Sequence, residues 1–93
     1  MFKRGLFNRG RIYSDEGFEV TFVGRSQLAY VERGRQVTIP GELLTDGFVA
    51  EMAGLKTWDD GSRFTEGELP GIQDRVTRAL KSQKMTLDLV GPN

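Results

Sequence analysis

The chain contains no cysteine and no histidine. Their absence excludes disulfides, thiol nucleophiles, imidazole general bases, Cys/His zinc sites and the usual serine and cysteine triads. Long hydrophobic runs are missing as well. Near the start, Leu6 and Phe7 give way at once to Asn8, Arg9 and Gly10. A secretory signal needs an apolar stretch of roughly 7–15 residues and a membrane span about 20. Thirteen basic side chains balance thirteen acidic ones, so net charge points to neither nucleic acid nor a membrane surface. Despite twelve glycines there is no GxxxxGKS/T and no GxGxxG, so phosphate-binding loops are unsupported. These absences predict a soluble, cytoplasmic, non-enzymatic protein with no metal and no cofactor, binding neither nucleic acid nor membrane.

What is present fits one small domain over residues 1–93, with residues 1–8 expected to fray. Hydrophobic residues make up 38% of the chain and charged residues 28%, which argues against wholesale disorder. Gly10, Gly17, Gly24, Gly34, Gly41, Gly47, Gly54 and Gly61 recur every six to ten residues and read as turns between short strands. Phe18 to Phe22 alternates apolar and polar residues, the period of a half-buried strand. Leu28 to Glu32 and Gln36 to Ile39 are rich in β-branched and aromatic residues, with Arg33-Gly34 as the hairpin turn between them. Phe48, Ala50 and Met52 share a face, and a shorter stretch from Leu55 ends at the turn Asp59-Asp60-Gly61-Ser62.

The period then changes. Leu69, Ile72, Val76, Ala79 and Leu80 fall on one helical stripe, which predicts a C-terminal amphipathic helix over about 66–83. Thr65 and Glu68 have capping-box spacing, although Pro70 then falls inside the helix and leaves a start at Pro70 open. Met85, Leu87 and Leu89 alternate with Thr86 and Asp88 as a final strand. The expected class is α+β: a mainly antiparallel sheet of about five to seven short strands with the helix packed on one face.

Charge is balanced in total but not in distribution. Residues 1–41 carry a net +3, residues 42–74 a net −6 and residues 75–93 a net +3. An acidic surface of this kind steers a basic partner more than it supplies affinity. Asp59-Asp60 lacks the ligand spacing of a calcium loop and reads as turn chemistry. Glu42, between Pro40-Gly41 and Leu43-Leu44, is expected either to cap a short helical turn or to pair with an arginine. The basic residues Lys3, Arg4, Arg9 and Arg11 make too thin a footprint for nucleic acid. Tyr30 and Trp58 read as core aromatics or, alternatively, as interface anchors.

The run Tyr30-Val31-Glu32-Arg33-Gly34-Arg35-Gln36-Val37-Thr38-Ile39-Pro40-Gly41-Glu42-Leu43, then Trp58, then Phe64-Thr65 opening an amphipathic helix from Glu68 to Ser82, resembles immunity-protein family 74. The resemblance covers roughly residues 28–84. Members of that family are encoded beside bacterial polymorphic and contact-dependent toxins. The resemblance implies no catalysis; it implies non-covalent neutralisation of a cognate toxin in the cytosol of the producing cell. Together with the acidic stretch it gives a toxin with a basic surface as the expected partner, for a monomer or homodimer. Candidate partner-binding residues are Glu42, Asp46, Glu51, Trp58, Asp59 and Asp60. The alternative is a non-catalytic structural or assembly module of a phage or secretion system, in which edge strands pair between copies.

Overall fold

Period-two alternation broken by short turns dictates hairpins, and a single amphipathic stripe near the end dictates one helix. The computed structural model describes residues 2–4 and 11–90. It contains β1 (Phe2–Arg4), β2 (Arg11–Ser14), β3 (Phe18–Val23), β4 (Gln27–Glu32), β5 (Arg35–Leu43), β6 (Gly47–Glu51), α1 (Glu68–Ser82) and β7 (Thr86–Val90). The sheet runs in chain order from β1 to β7. Every neighbouring pair is antiparallel except β6 and β7, which are parallel because the chain crosses over through α1. The class is α+β, as expected. Residues 2–4, inside the stretch expected to fray, pair with β2; the remainder of that stretch lies outside the described residues.

The β4–β5 turn is set by two residues. Arg33 has φ 52° and Gly34 φ 75°, the pair of positive values that a type I′ turn requires. Register follows from it: Glu32 opposes Arg35, Tyr30 opposes Val37 and Leu28 opposes Ile39. These residues, with Phe18, Val20 and Ile12, share the inner face, where Ile12, Val20, Leu28, Tyr30 and Ile39 are at most 2% exposed. The stripe of α1 closes the core, with Ile72, Val76, Ala79 and Leu80 buried and Leu69 packed at its margin. α1 packs on both β7 and β2, strands at nearly opposite ends of the sheet order. One helix reaches both because the sheet curls around it. Pairing with β6 begins at Gly41, where a Cβ would collide with the Val49 carbonyl and the Phe48 ring.

β5 is nine residues long, but β6 covers only Gly41 to Leu43 of it. The earlier half of that edge is sealed by residues 57–63, which form an isolated Thr57–Arg63 bridge rather than a strand. Asp59 N–H donates to the Gln36 carbonyl at 2.7 Å. The Asp59 carboxylate accepts from Thr38 N–H at 2.9 Å, the Thr38 hydroxyl at 2.7 Å and the Gln36 amide at 3.0 Å. Pro40, the next residue facing this edge, has no N–H to satisfy. Burial pushes the Asp59 carboxyl upward, but the bonds from Thr38 and Gln36 outweigh it and hold the group below its ordinary pKa.

The helix begins at Glu68, later than the expected residue 66, because Gly67 is left-handed at φ 87° and closes a separate turn. Only half of the capping box forms: the Glu68 carboxylate accepts from Thr65 N–H at 2.6 Å. Pro70 is then the third helical residue, within the first turn, where its missing N–H has no intrahelical acceptor to lose. The helix ends in a Schellman motif. Met85 N–H bonds to the Leu80 carbonyl at 2.9 Å and Lys84 N–H to the Lys81 carbonyl at 3.0 Å. Lys84 occupies the left-handed position at φ 60°, where glycine is the unstrained residue.

Two outcomes follow from this geometry. Lys84→Gly should stabilise the protein by roughly 0.5–1 kcal/mol in denaturant titration, since it relieves left-handed strain at the helix end. Asp59→Asn should cost about 1–2 kcal/mol at neutral pH. A carboxyl whose folded pKa is depressed stabilises the fold above its unfolded value of about 4, and that contribution disappears as pH falls through the folded value. Unfolding free energy measured from pH 6 down to pH 2 should therefore decline less steeply in Asp59→Asn than in the parent.

Candidate partner-binding site

Directly opposed residues of neighbouring strands project from the same face of a sheet. The register sets Glu42, Val49 and Asp88 in one row across β5, β6 and β7. Phe48 and Ala50 alternate with Val49 and are buried, so this row lies on the outer face. Glu51 is two residues beyond Val49 and shares that face. Asp46 sits in the β5–β6 turn, its carbonyl accepting Thr86 N–H at 3.0 Å. Glu42, Asp46, Glu51 and Asp88 are all exposed. None of the four forms an ion pair among the described residues. Arg25 lines one groove with Glu42 and Asp46, while Gly41, Glu42, Val49 and Glu51 line another. Glu42 neither caps a helical turn nor pairs with an arginine: it stands within β5 with a free carboxylate, because the chain there is extended and bonded to β6.

The other carboxylates are mostly committed. Glu19 pairs with Arg11, Glu32 with Arg75, Glu68 with Arg35, and Glu16 and Asp74 with Arg78. The bond from Arg78 holds Glu16 below its usual pKa, and the Thr65 N–H does the same for Glu68. Asp60 accepts from the Ser62 hydroxyl and from Ser62 N–H, which lower its pKa in that order. Asp59 is bound to β5 as described. Glu66 is exposed and has no ion pair among the described residues.

Trp58 is only 3% exposed. Its ring meets the edge of Phe64 with centroids 5.4 Å apart and lies 6.4 Å from Tyr30, and the Arg35 guanidinium stacks over it at 4.4 Å. The indole N–H lies near enough to Glu68 to favour its ionised form, without meeting hydrogen-bond geometry. Of the six residues expected to bind a partner, Glu42, Asp46 and Glu51 therefore gather around β5 and β6. Trp58, Asp59 and Asp60 belong to the segment that seals the β5 edge. Asp88 joins the first group and was overlooked in the sequence, because it lies outside the acidic stretch. Its place between Leu87 and Leu89 in an alternating strand, which sets it on the opposite face from those leucines, was the available signal.

A cleft beside the helix N-terminus, about 290 Å³, is lined by Glu32, Trp58, Glu66, Gly67, Glu68, Ile72 and Arg75. Behind its wall the buried Tyr30 hydroxyl donates to Glu32 at 2.6 Å, and Arg75 donates to both at 3.4 Å. Burial and the Glu32 contact push the Tyr30 phenol well above its ordinary pKa, which keeps it protonated and non-nucleophilic near neutral pH. The triad clasps α1 to β4. Among the described residues no three carboxylates converge as a metal site, and no helix is long and apolar enough to cross a membrane.

Comparison with known proteins agrees with the resemblance seen in the sequence. No curated protein and no solved structure matches the chain significantly. The family model described as Immunity protein 74 matches residues 15–90, from the β2–β3 turn to the end of β7. The chain thus belongs to the immunity protein 74 family.

Proposed function

We propose that this protein neutralises a cognate toxin by non-covalent binding in the cytosol of the producing cell, with Glu42, Asp46 and Glu51 meeting a basic surface of the toxin. Family membership gives the class of partner. One observation carries the choice of surface: among the described residues, the sheet carboxylates without a cationic partner, Glu42, Glu51 and Asp88, share one outer face with Asp46 in the turn beside them, while Glu19, Glu32, Glu68 and Asp74 on the sheet and helix pair with arginines. Interfaces of standard size bury about 800 Å² on each partner, which a domain this small can provide. Tyr30, protonated and bonded to Glu32, offers no nucleophile, in keeping with inhibition rather than catalysis. Asp59 contributes to binding indirectly, by fixing the earlier half of β5, the strand that carries Glu42, while Trp58 and Asp60 shape the loop that presents it.

The test uses the product of the neighbouring toxin gene. The two proteins should co-purify. Glu42→Lys with Glu51→Lys should slow association by about tenfold at low ionic strength, and the gap should narrow as salt is added, because such fields act mainly on encounter. Both side chains are exposed and unpaired, so the melting temperature should change little. Trp58→Ala serves as the structural control and should cost about 3–5 kcal/mol of stability. An association rate that is unchanged and insensitive to salt in the folded double variant would place the contact on another face.

A further inference from the structure

β7 ends the sheet, and among the described residues no strand pairs with its outer edge. Thr86 N–H bonds back toward β6, to the Asp46 carbonyl. By the alternation of a strand, the main-chain groups of Asp88 also face β6, and those of Leu87 and Leu89 face outward. The edge is five residues long and contains no proline. A groove of about 330 Å³ runs along it, lined by Thr77 and Lys81 of α1 and by Met85, Thr86, Leu87 and Asp88. Leu89 continues this apolar row and is 52% exposed. An open edge with unpaired N–H and C=O groups is a template for another strand.

On the toxin-binding reading above, we infer that the toxin adds an extended segment to the outer edge of β7. Main-chain hydrogen bonds from Leu87 and Leu89 supply its register. Its apolar residues lie on the row of those leucines, and a lysine or arginine stands opposite Asp88. Charge decides this occupant over a second copy of the chain. Pairing two β7 strands antiparallel and in full register would set Asp88, the central residue of the strand, directly opposite its own copy on the same face. Like charges across a sheet repel, whereas a basic strand meets uncompensated carboxylates.

Leu89→Pro tests this directly. Its N–H faces away from β6, so proline removes the edge donor and leaves the β6–β7 ladder intact. With the neighbouring toxin as probe, this variant should bind at least tenfold more weakly while keeping the parent's melting temperature. In the parent complex, hydrogen exchange at the Leu87 and Leu89 amides should slow at least tenfold relative to the free protein. If Leu89→Pro is itself destabilised, the exchange measurement on the parent decides. Unchanged exchange at these amides, together with slower association of the Glu42→Lys and Glu51→Lys variant, would overturn strand addition and leave the acidic-face reading standing. Absence of any complex would overturn both. Protection of Leu89 in the free protein that rises with concentration, with a dimer in light scattering, would assign the edge to a second copy instead.

Discussion

The main-chain groups of β5 that β6 does not reach are the constraint around which the second half of the molecule is arranged. A buried or half-buried strand edge without partners costs as much as lost hydrogen bonds. Here a loop takes the place of the missing strand. Asp59 supplies both a backbone donor to Gln36 and a carboxylate that imitates a strand carbonyl for Thr38. Pro40 fills the following position, the one that no neighbour could serve. Pinning Asp59 to the edge turns the adjacent Trp58 inward onto Tyr30, and Arg35 and Phe64 then enclose its ring. Arg35 also reaches Glu68 at the start of α1, so the edge seal fixes where the helix can begin.

Much of this was legible in the sequence, for identifiable reasons. The Arg33-Gly34 turn, the alternation of Phe18 to Phe22 and the stripe from Leu69 to Leu80 are local signals that tertiary contacts only reinforce. The missed elements depend on partners distant in sequence. β1 and β2 were not separately expected, because Ile12 is the one deeply buried residue of β2 and becomes recognisable only once it opposes Val20. The parallel pairing of β7 follows from the crossover through α1 and has no signature within Thr86 to Val90. Residues 57–63 carry a turn signal, but nothing in a turn announces that its aspartate will seal an edge 21 residues earlier in the chain.

The acidic stretch illustrates the same division. Its net charge was visible, but its eight carboxylates serve different ends. Asp59 and Asp60 satisfy main-chain and hydroxyl donors, and Glu68 and Asp74 pair with arginines from the basic flanks of the sequence. The fold thus neutralises much of the charge that the sequence concentrates. What it leaves on the sheet, at β5, β6 and the turn between them, is supplemented by Asp88 from a segment that is basic overall. A charged surface is a property of strand register, and register is decided by which residues must be buried.

Register also explains how the molecule tolerates this surface. Adjacent strands lie about 4.8 Å apart, so Glu42 and Asp88, separated by the row position of Val49, stand roughly 10 Å from each other. That separation is comparable to the Debye length of about 8 Å at physiological ionic strength, and their repulsion in the free protein is largely screened. Had Glu42 faced a carboxylate directly across one strand pair, the cost would have fallen on folding. With Val49 between them, the charges remain nearly independent until a basic surface approaches. Such a surface is attracted by all of them together, at distances where water and salt are being displaced. The same spacing that spares the isolated fold therefore makes the face effective toward a cationic partner, and makes its effect on association dependent on salt.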